Sequence, residues 1–143
     1  MDKLDSELLQ FIRQNAQMGT VTLTRLGEML EAGYMKDTVT KQLAEYDAVF
    51  SEAGAKLEAG REEAKDVSHV VQAAATAMLG MQSLADRSPS HIAEIVIVGS
   101  TRGIIQIIRR IRDCRGASSD SVNLAYRLLV IEQNNINDLK RFL

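Results

Sequence analysis

Residues Ser88 to Cys114 read SPSHIAEIVIVGSTRGIIQIIRRIRDC, the longest run in which apolar residues recur turn after turn, and any fold of this chain has to bury it. The run opens on a helix-start signal. Ser88 can accept a hydrogen bond from a free first-turn amide, and Pro89 fits the first helical position, where its missing N–H costs nothing. An end near Gly116 is expected, because glycine closes helices readily. Such a helix is roughly 40 Å long at 1.5 Å per residue.

At helical spacing Ala93, Val96, Ile97, Ser100, Gly103, Ile104, Ile107 and Ile111 share one broad face. Arg102, Gln106, Arg109 and Asp113 oppose it, so the C-terminal half reads as an amphipathic surface helix. Ile92, Ile95 and Val98 point away from the main face, leaving the first half apolar almost all round. That half needs a second cover, which residues 68–84 or another copy of the chain would supply. Gly99, Ser100 and Gly103 lack bulk, and their plainest use is to let a neighbouring helix approach closely.

The chain of 143 residues fits one domain, 1–143, and no alternating β-branched run marks a strand. The fold class is all-α. The expected architecture is an antiparallel bundle of four long helices, with a short connector helix between the second and third. Net charge is −2, so no global basic field draws in nucleic acid or an anionic membrane. Cys114 is the single cysteine, which excludes an internal disulfide and a cysteine-based zinc cage. Residues 1–30 show no signal-peptide layout and no apolar run reaches membrane-spanning length, so a cytoplasmic location and no membrane partner are expected.

Helix one is expected over 3–32, carried by Leu4, Leu8, Phe11, Ile12, Met18, Leu26, Met29 and Leu30 and stopped by Gly33. Its stripe is not apolar in the middle, where Asn15, Gly19 and Thr22 take the core positions. Helix two is expected from an Asp37 cap to about residue 64, with Val39, Leu43, Tyr46, Phe50, Ala53 and Leu57 as its seam. The charged residues from Glu58 to Asp66 read as its solvated end, and Ser68–Leu84 as a short helix rich in Ala and Met. The last helix is expected over 120–142, capped by Ser119, Asp120 or Ser121. Its seam is Val122, Ala125, Leu129, Glu132, Ile136, Leu139 and Leu143.

Glu132 is the one carboxylate in that seam, and a buried unpaired charge costs several kcal/mol, so it needs a partner or a proton. Asn15, Thr22, Tyr46 and Ser100 (or Thr101) lie at similar depth and form with it an interior polar layer. The layer reads either as a register device or as a site for a metal or small ligand. Di-metal bundles need Glu-x-x-His pairs. Here Glu45 is followed at that spacing by Ala48 and Glu132 by Asn135, while His91 and Glu94 have the order reversed. A metal reading is therefore reduced to His91, Glu94 and Glu132, with a transition-metal ion as the alternative to no cofactor at all. Arg109, Arg110, Arg112 and Arg115 cluster at a helix end, where cations complement the dipole, and no aromatic residue interleaves them for base stacking.

The segments SPSHIAE and GSTRGII (Ser88–Glu94 and Gly99–Ile105) resemble a stretch in small ferritin-like helical-bundle proteins of Clostridia-like Firmicutes, written KSPSHIAE…QGSTMGI there. Those proteins end in a helix finishing LKKFL, and this chain ends Leu139-Lys140-Arg141-Phe142-Leu143. The resemblance implies a ferritin-like fold and a bacterial source, and it brings no activity. Function is therefore expected to be non-enzymatic, an interaction or assembly role in a homo-oligomer. The alternative is a bundle that binds a metal or small ligand around Glu132.

Overall fold

The computed structural model describes the backbone throughout and the side chains of residues 1–82 and 86–143. The chain is all-helical: α1 (Lys3–Glu28), α2 (Tyr34–Ala59), α3 (His69–Ala85), α4 (Pro89–Asp113) and α5 (Ser119–Leu139), with a closing 3-10 turn over Lys140–Phe142.

The starts of these helices follow from local chemistry. Ser88 Oγ accepts from the His91 amide at 3.2 Å with Pro89 in the first turn, as the sequence predicts. Ser68 caps α3 in the same way at Val71. The cap of α5 is Ser118, one residue before the expected candidates. It is the first residue whose extended backbone lets its hydroxyl accept from Ser121. α2 begins a turn before Asp37, which lies in the first turn, where a carboxylate complements the positive end of the helix.

Several helix ends differ from expectation. α1 stops at Glu28 rather than at residue 32, and Gly33, expected to stop it, instead caps the start of α2. α2 stops at Ala59 because Arg61 adopts a left-handed backbone, φ 59°. The amides of Arg61 and Glu62 then bond back to the carbonyls of Glu58 and Leu57, which closes the helix. α4 ends at Asp113 with Cys114 as its cap, and Gly116 serves close packing instead: a Cβ there would lie 2.9 Å from Leu4.

Residues beyond Arg61 are not a solvated helix end. They form an extended strap along α1, held by side chains at helical spacing. Gln10 donates to the Glu63 carbonyl and accepts from the Lys65 amide. Arg13 and Gln14 donate to the Lys65 carbonyl, and Gln17 accepts from the Val67 amide at 2.8 Å. The strap runs in the same direction as α1 and delivers the chain to α3, which packs chiefly on α1.

α1 packs on α2 and α4 on α5, with α2 against α5 and α1 against α4 and α5. The Ser118 amide donates to Asp5 at 2.8 Å, joining the start of α5 to the start of α1. Ser90 donates to the Leu143 carbonyl, joining the start of α4 to the end of the chain. Among these helices lies one core, which includes Leu8, Ile12, Leu26, Leu57, Ile107 and Leu128. The seams of α2 and α5 are rotated slightly from the expected ones. Gln42 and Val49 are buried where Leu43 and Phe50 were expected, and Leu124 and Leu128 where Val122 and Leu129 were.

Two expectations about α4 need correction. Its first half is only partly covered: Ile92 is fully buried, Ile95 half-buried and Val98 exposed. By length and composition alone α4 is also long and apolar enough to cross a membrane. Glu94 and Arg102 interrupt its apolar run, but the average over several turns still passes. In this fold α4 lays Ala93, Val96, Ser100, Gly103 and Ile107 into the core.

Candidate functional site

The polar layer expected from sequence assembles around one cavity. Asn15, Thr22, Tyr46, Ser100 and Glu132 all line a space of about 290 Å³, drawn from α1, α2, α4 and α5. Glu132 is only 4% exposed, and Tyr46 and Ser100 are as deeply buried.

Tyr46 Oη donates to Glu132 Oε2 at 2.5 Å, and Asn135 Nδ2 donates to Tyr46 Oη at 3.0 Å. The Ser100 hydroxyl lies beside the pair and favours the charged form of each member. Burial pushes the Glu132 carboxyl above its ordinary 4.5, against the opposing pull of the Tyr46 and Ser100 hydroxyls. Burial, reinforced by the Glu132 charge, holds the Tyr46 hydroxyl protonated well above its ordinary range. Tyr46 is thus a fixed donor and Glu132 an acceptor that also holds a proton readily.

Two glycines make room for the pair. A Cβ at Gly19 would lie 2.8 Å from the Tyr46 ring, and one at Gly103 would lie 2.8 Å from Glu132 Oε1. Gly103 thus admits the Glu132 carboxylate as well as the close approach of α5. Gly99 differs: nothing lies within 4 Å of where its Cβ would be. It opens onto the cavity, with Arg102 and Gln106 at the mouth.

The layer is not fully satisfied from within. Asn15 Oδ1 is buried without a hydrogen-bond partner, and so are Asn135 Oδ1 and both polar atoms of the Gln42 amide. Buried acceptors rarely go unpaired, so an unpaired one beside a cavity points to something polar inside it. The sequence singles out Asn135 only as the residue three after Glu132, and it does not single out Gln42. The signal for Gln42 was its spacing of three from Val39 and four from Tyr46.

The three candidate metal ligands do not come together. His91 and Glu94 pair with each other, Nδ1 to Oε2 at 3.5 Å, and His91 Nε2 lies 2.9 Å from the Gln82 carbonyl. Glu132 meets α4 at Gly103, which is about 13 Å further along the helix axis than Glu94. Among the described residues, no group of three or more His, Cys, Asp or Glu side chains is placed to hold a metal ion. The donor set at Glu132, one carboxylate among hydroxyls and amides, does not fit a di-metal centre.

Arg109, Arg112 and Arg115 are exposed, and Arg110 stacks over Phe11 at 5.0 Å. No family model, curated protein or solved structure matches the chain.

Proposed function

We propose that this protein binds a small organic molecule in the cavity at Glu132, in a bundle of ferritin-like helix order. The order is supported by which helix ends meet. α1 and α5 run one way and α2 and α4 the other, because the strap with α3 carries the chain back along the bundle between the two antiparallel hairpins. The resemblance of Ser88–Ile105 to small bundle proteins of Clostridia-like Firmicutes agrees with that order and with a bacterial source.

One observation carries the binding role. The buried, unpartnered Asn15 Oδ1 lines the same cavity of about 290 Å³ as Glu132. A pure register device would close on itself, as the Tyr46–Glu132 pair does, and would leave neither the space nor the acceptor. The volume is at the lower end of small-molecule pockets, which suits a metabolite rather than a large cofactor.

The test is a ligand-observed NMR screen of polar small molecules against the wild type and Glu132→Gln. Compounds that bind the wild type and lose at least about tenfold in affinity in the variant, equivalent to one charged hydrogen bond, are the expected result. A screen in which no compound distinguishes the two proteins overturns the proposal.

A second reading, assembly with further copies of the chain, is favoured by a separate observation. Val70, Val71, Met78 and Met81 on α3 and Val98 on α4 are exposed. Sedimentation of the wild type beside Val71→Glu tests it, and a monomer in both overturns it.

A further inference from the structure

The cavity at Glu132 does not end at Gly99. A second space of about 270 Å³ lies between α3 and α4, and Thr22, Gly99 and Arg102 line both. Its remaining walls are aliphatic along Ala75, Met78 and Leu79 on α3 and Ile95 and Val98 on α4, with Gln82 and the His91–Glu94 pair lining it as well. The two spaces differ in their lining: the first is lined by Asn15, Tyr46, Ser100 and Glu132, the second chiefly by aliphatic side chains. Gly99 lines both, and with nothing within 4 Å of where its Cβ would point it sets no side chain between them. Helix α4 gives up stability for that gap, since glycine in a helix interior is worse than alanine by about 1 kcal/mol.

Resting on the binding role proposed above, we infer that the ligand is an amphipathic organic ammonium, its head against Glu132 and Asn15 and its aliphatic tail in the α3–α4 groove. The head follows from the deep groups. Glu132 and Asn15 Oδ1 both accept hydrogen bonds, Tyr46 already spends its proton on Glu132, and no cationic side chain lines the polar end except Arg102 at the mouth. An ammonium supplies the donors and the charge that this arrangement lacks, and a buried carboxylate binds a cation more strongly than a neutral donor. The tail follows from the groove, whose aliphatic walls gain from every methylene removed from water. Exposed Met78 is suited to such a groove, because its unbranched side chain adapts to chains of different length.

Ammonium binding would also draw the proton off Glu132, so affinity should rise with pH. The other titratable or charged groups that line the cavity are Tyr46 on α2 and Arg102 on α4, and α1 contributes no titratable group there.

The experiment is calorimetric titration of the full chain with butylamine, hexylamine and octylamine, beside octanoate and octanol, repeated on Glu132→Gln and Gly99→Leu. Affinity should climb with chain length by up to roughly fourfold per buried methylene. Glu132→Gln should weaken every amine, whereas Gly99→Leu should keep butylamine and lose the gain from the longer tails. Nuclear Overhauser contacts from the octylamine chain to the Ile95, Val98 and Met78 methyls of the wild type give the same answer without a variant. Amines that bind through Glu132 with no dependence on length would remove the tail and leave the cavity reading intact. Octanoate or octanol binding as tightly as octylamine would remove the ammonium head. If no amine binds while other small molecules still discriminate wild type from Glu132→Gln, this inference alone falls, and if nothing binds, both fall.

Discussion

Tyr46 and Glu132, 86 residues apart in the chain, meet in the centre of the bundle through a hydroxyl–carboxylate hydrogen bond of 2.5 Å. The bond joins α2 to α5, and Asn135 donates to the same hydroxyl one turn further along α5. Tyr46→Phe removes the donor to Glu132 and the acceptor for Asn135 in one step. An unsatisfied buried group costs about 1–3 kcal/mol, so the variant should lose stability in that range in urea denaturation. Cavity volume should hardly change, which separates this loss from a packing defect.

Stability should also depend on pH through Glu132. Its carboxyl is raised above 4.5 in the folded protein, chiefly by burial, so the folded state keeps a proton that the unfolded state gives up. The favourable contribution is complete below the ordinary carboxyl value and disappears as pH rises through the folded value. Glu132→Gln keeps the shape and removes the titration. Urea midpoints measured at a series of pH values should fall with rising pH in the wild type, and that component should be missing from the variant.

The three central glycines should respond in opposite directions. Gly19→Ala drives a methyl into the rigid, buried Tyr46 ring, and overpacking of that kind costs typically 1–3 kcal/mol. Gly103→Ala presses on Glu132 Oε1, whose carboxyl group is held in place through Oε2 by Tyr46, and should also destabilise. Gly99→Ala meets nothing within 4 Å and should stabilise by up to about 1 kcal/mol through helix propensity. Thermal denaturation of the three variants side by side checks the order.

Much of this was legible in the sequence, for identifiable reasons. Ser88 and Pro89 announce α4 because capping is local chemistry. Glu132 was placeable because a carboxylate interrupts an otherwise apolar seam, and Asn15, Thr22, Tyr46 and Ser100 because depth along antiparallel helices follows from residue count. What escaped depends on contacts between distant segments. The charges after Glu58 read as a solvated helix end, because nothing local reveals that Gln10, Arg13, Gln14 and Gln17 reach across to the backbone there. Gln42 is hidden behind Leu43, because period alone leaves these adjacent positions equal and the more apolar one reads as the core residue. His91 and Glu94 are close along α4, yet their height on the helix keeps them from Glu132, which only the pairing of α4 with α5 reveals.

The end of α2 stores strain at Arg61. A non-glycine residue in the left-handed region carries a penalty of roughly 1–2 kcal/mol, and the Glu62–Leu57 bond of 2.9 Å holds it there. Arg61→Gly relieves that strain but adds freedom to the unfolded chain, so a net gain of about 0.5–1 kcal/mol is expected. Chemical denaturation measures it, and an unchanged or lowered midpoint would mean that the side chain contributes something the backbone geometry does not show.

Arg13 should govern whether the strap stays docked. Its guanidinium lies 4.2 Å from the centre of the Phe50 ring, while Nη1 donates to the Lys65 carbonyl at 3.0 Å and reaches Asp66 at 2.7 Å. Its side chain is only 12% exposed, so these interactions are better shielded than those of a surface ion pair. Arg13→Lys keeps the charge but loses the planar fork that stacks and donates at once, and should fail to substitute for it. Hydrogen exchange is the informative measurement. In Arg13→Ala the amides of Lys65 and Val67, which bond to Gln10 and Gln17, should lose protection together with α3, while those of α4 and α5 keep theirs. Loss of protection throughout the chain would instead show that the strap is part of the global folding unit and that the α3 side cannot open on its own.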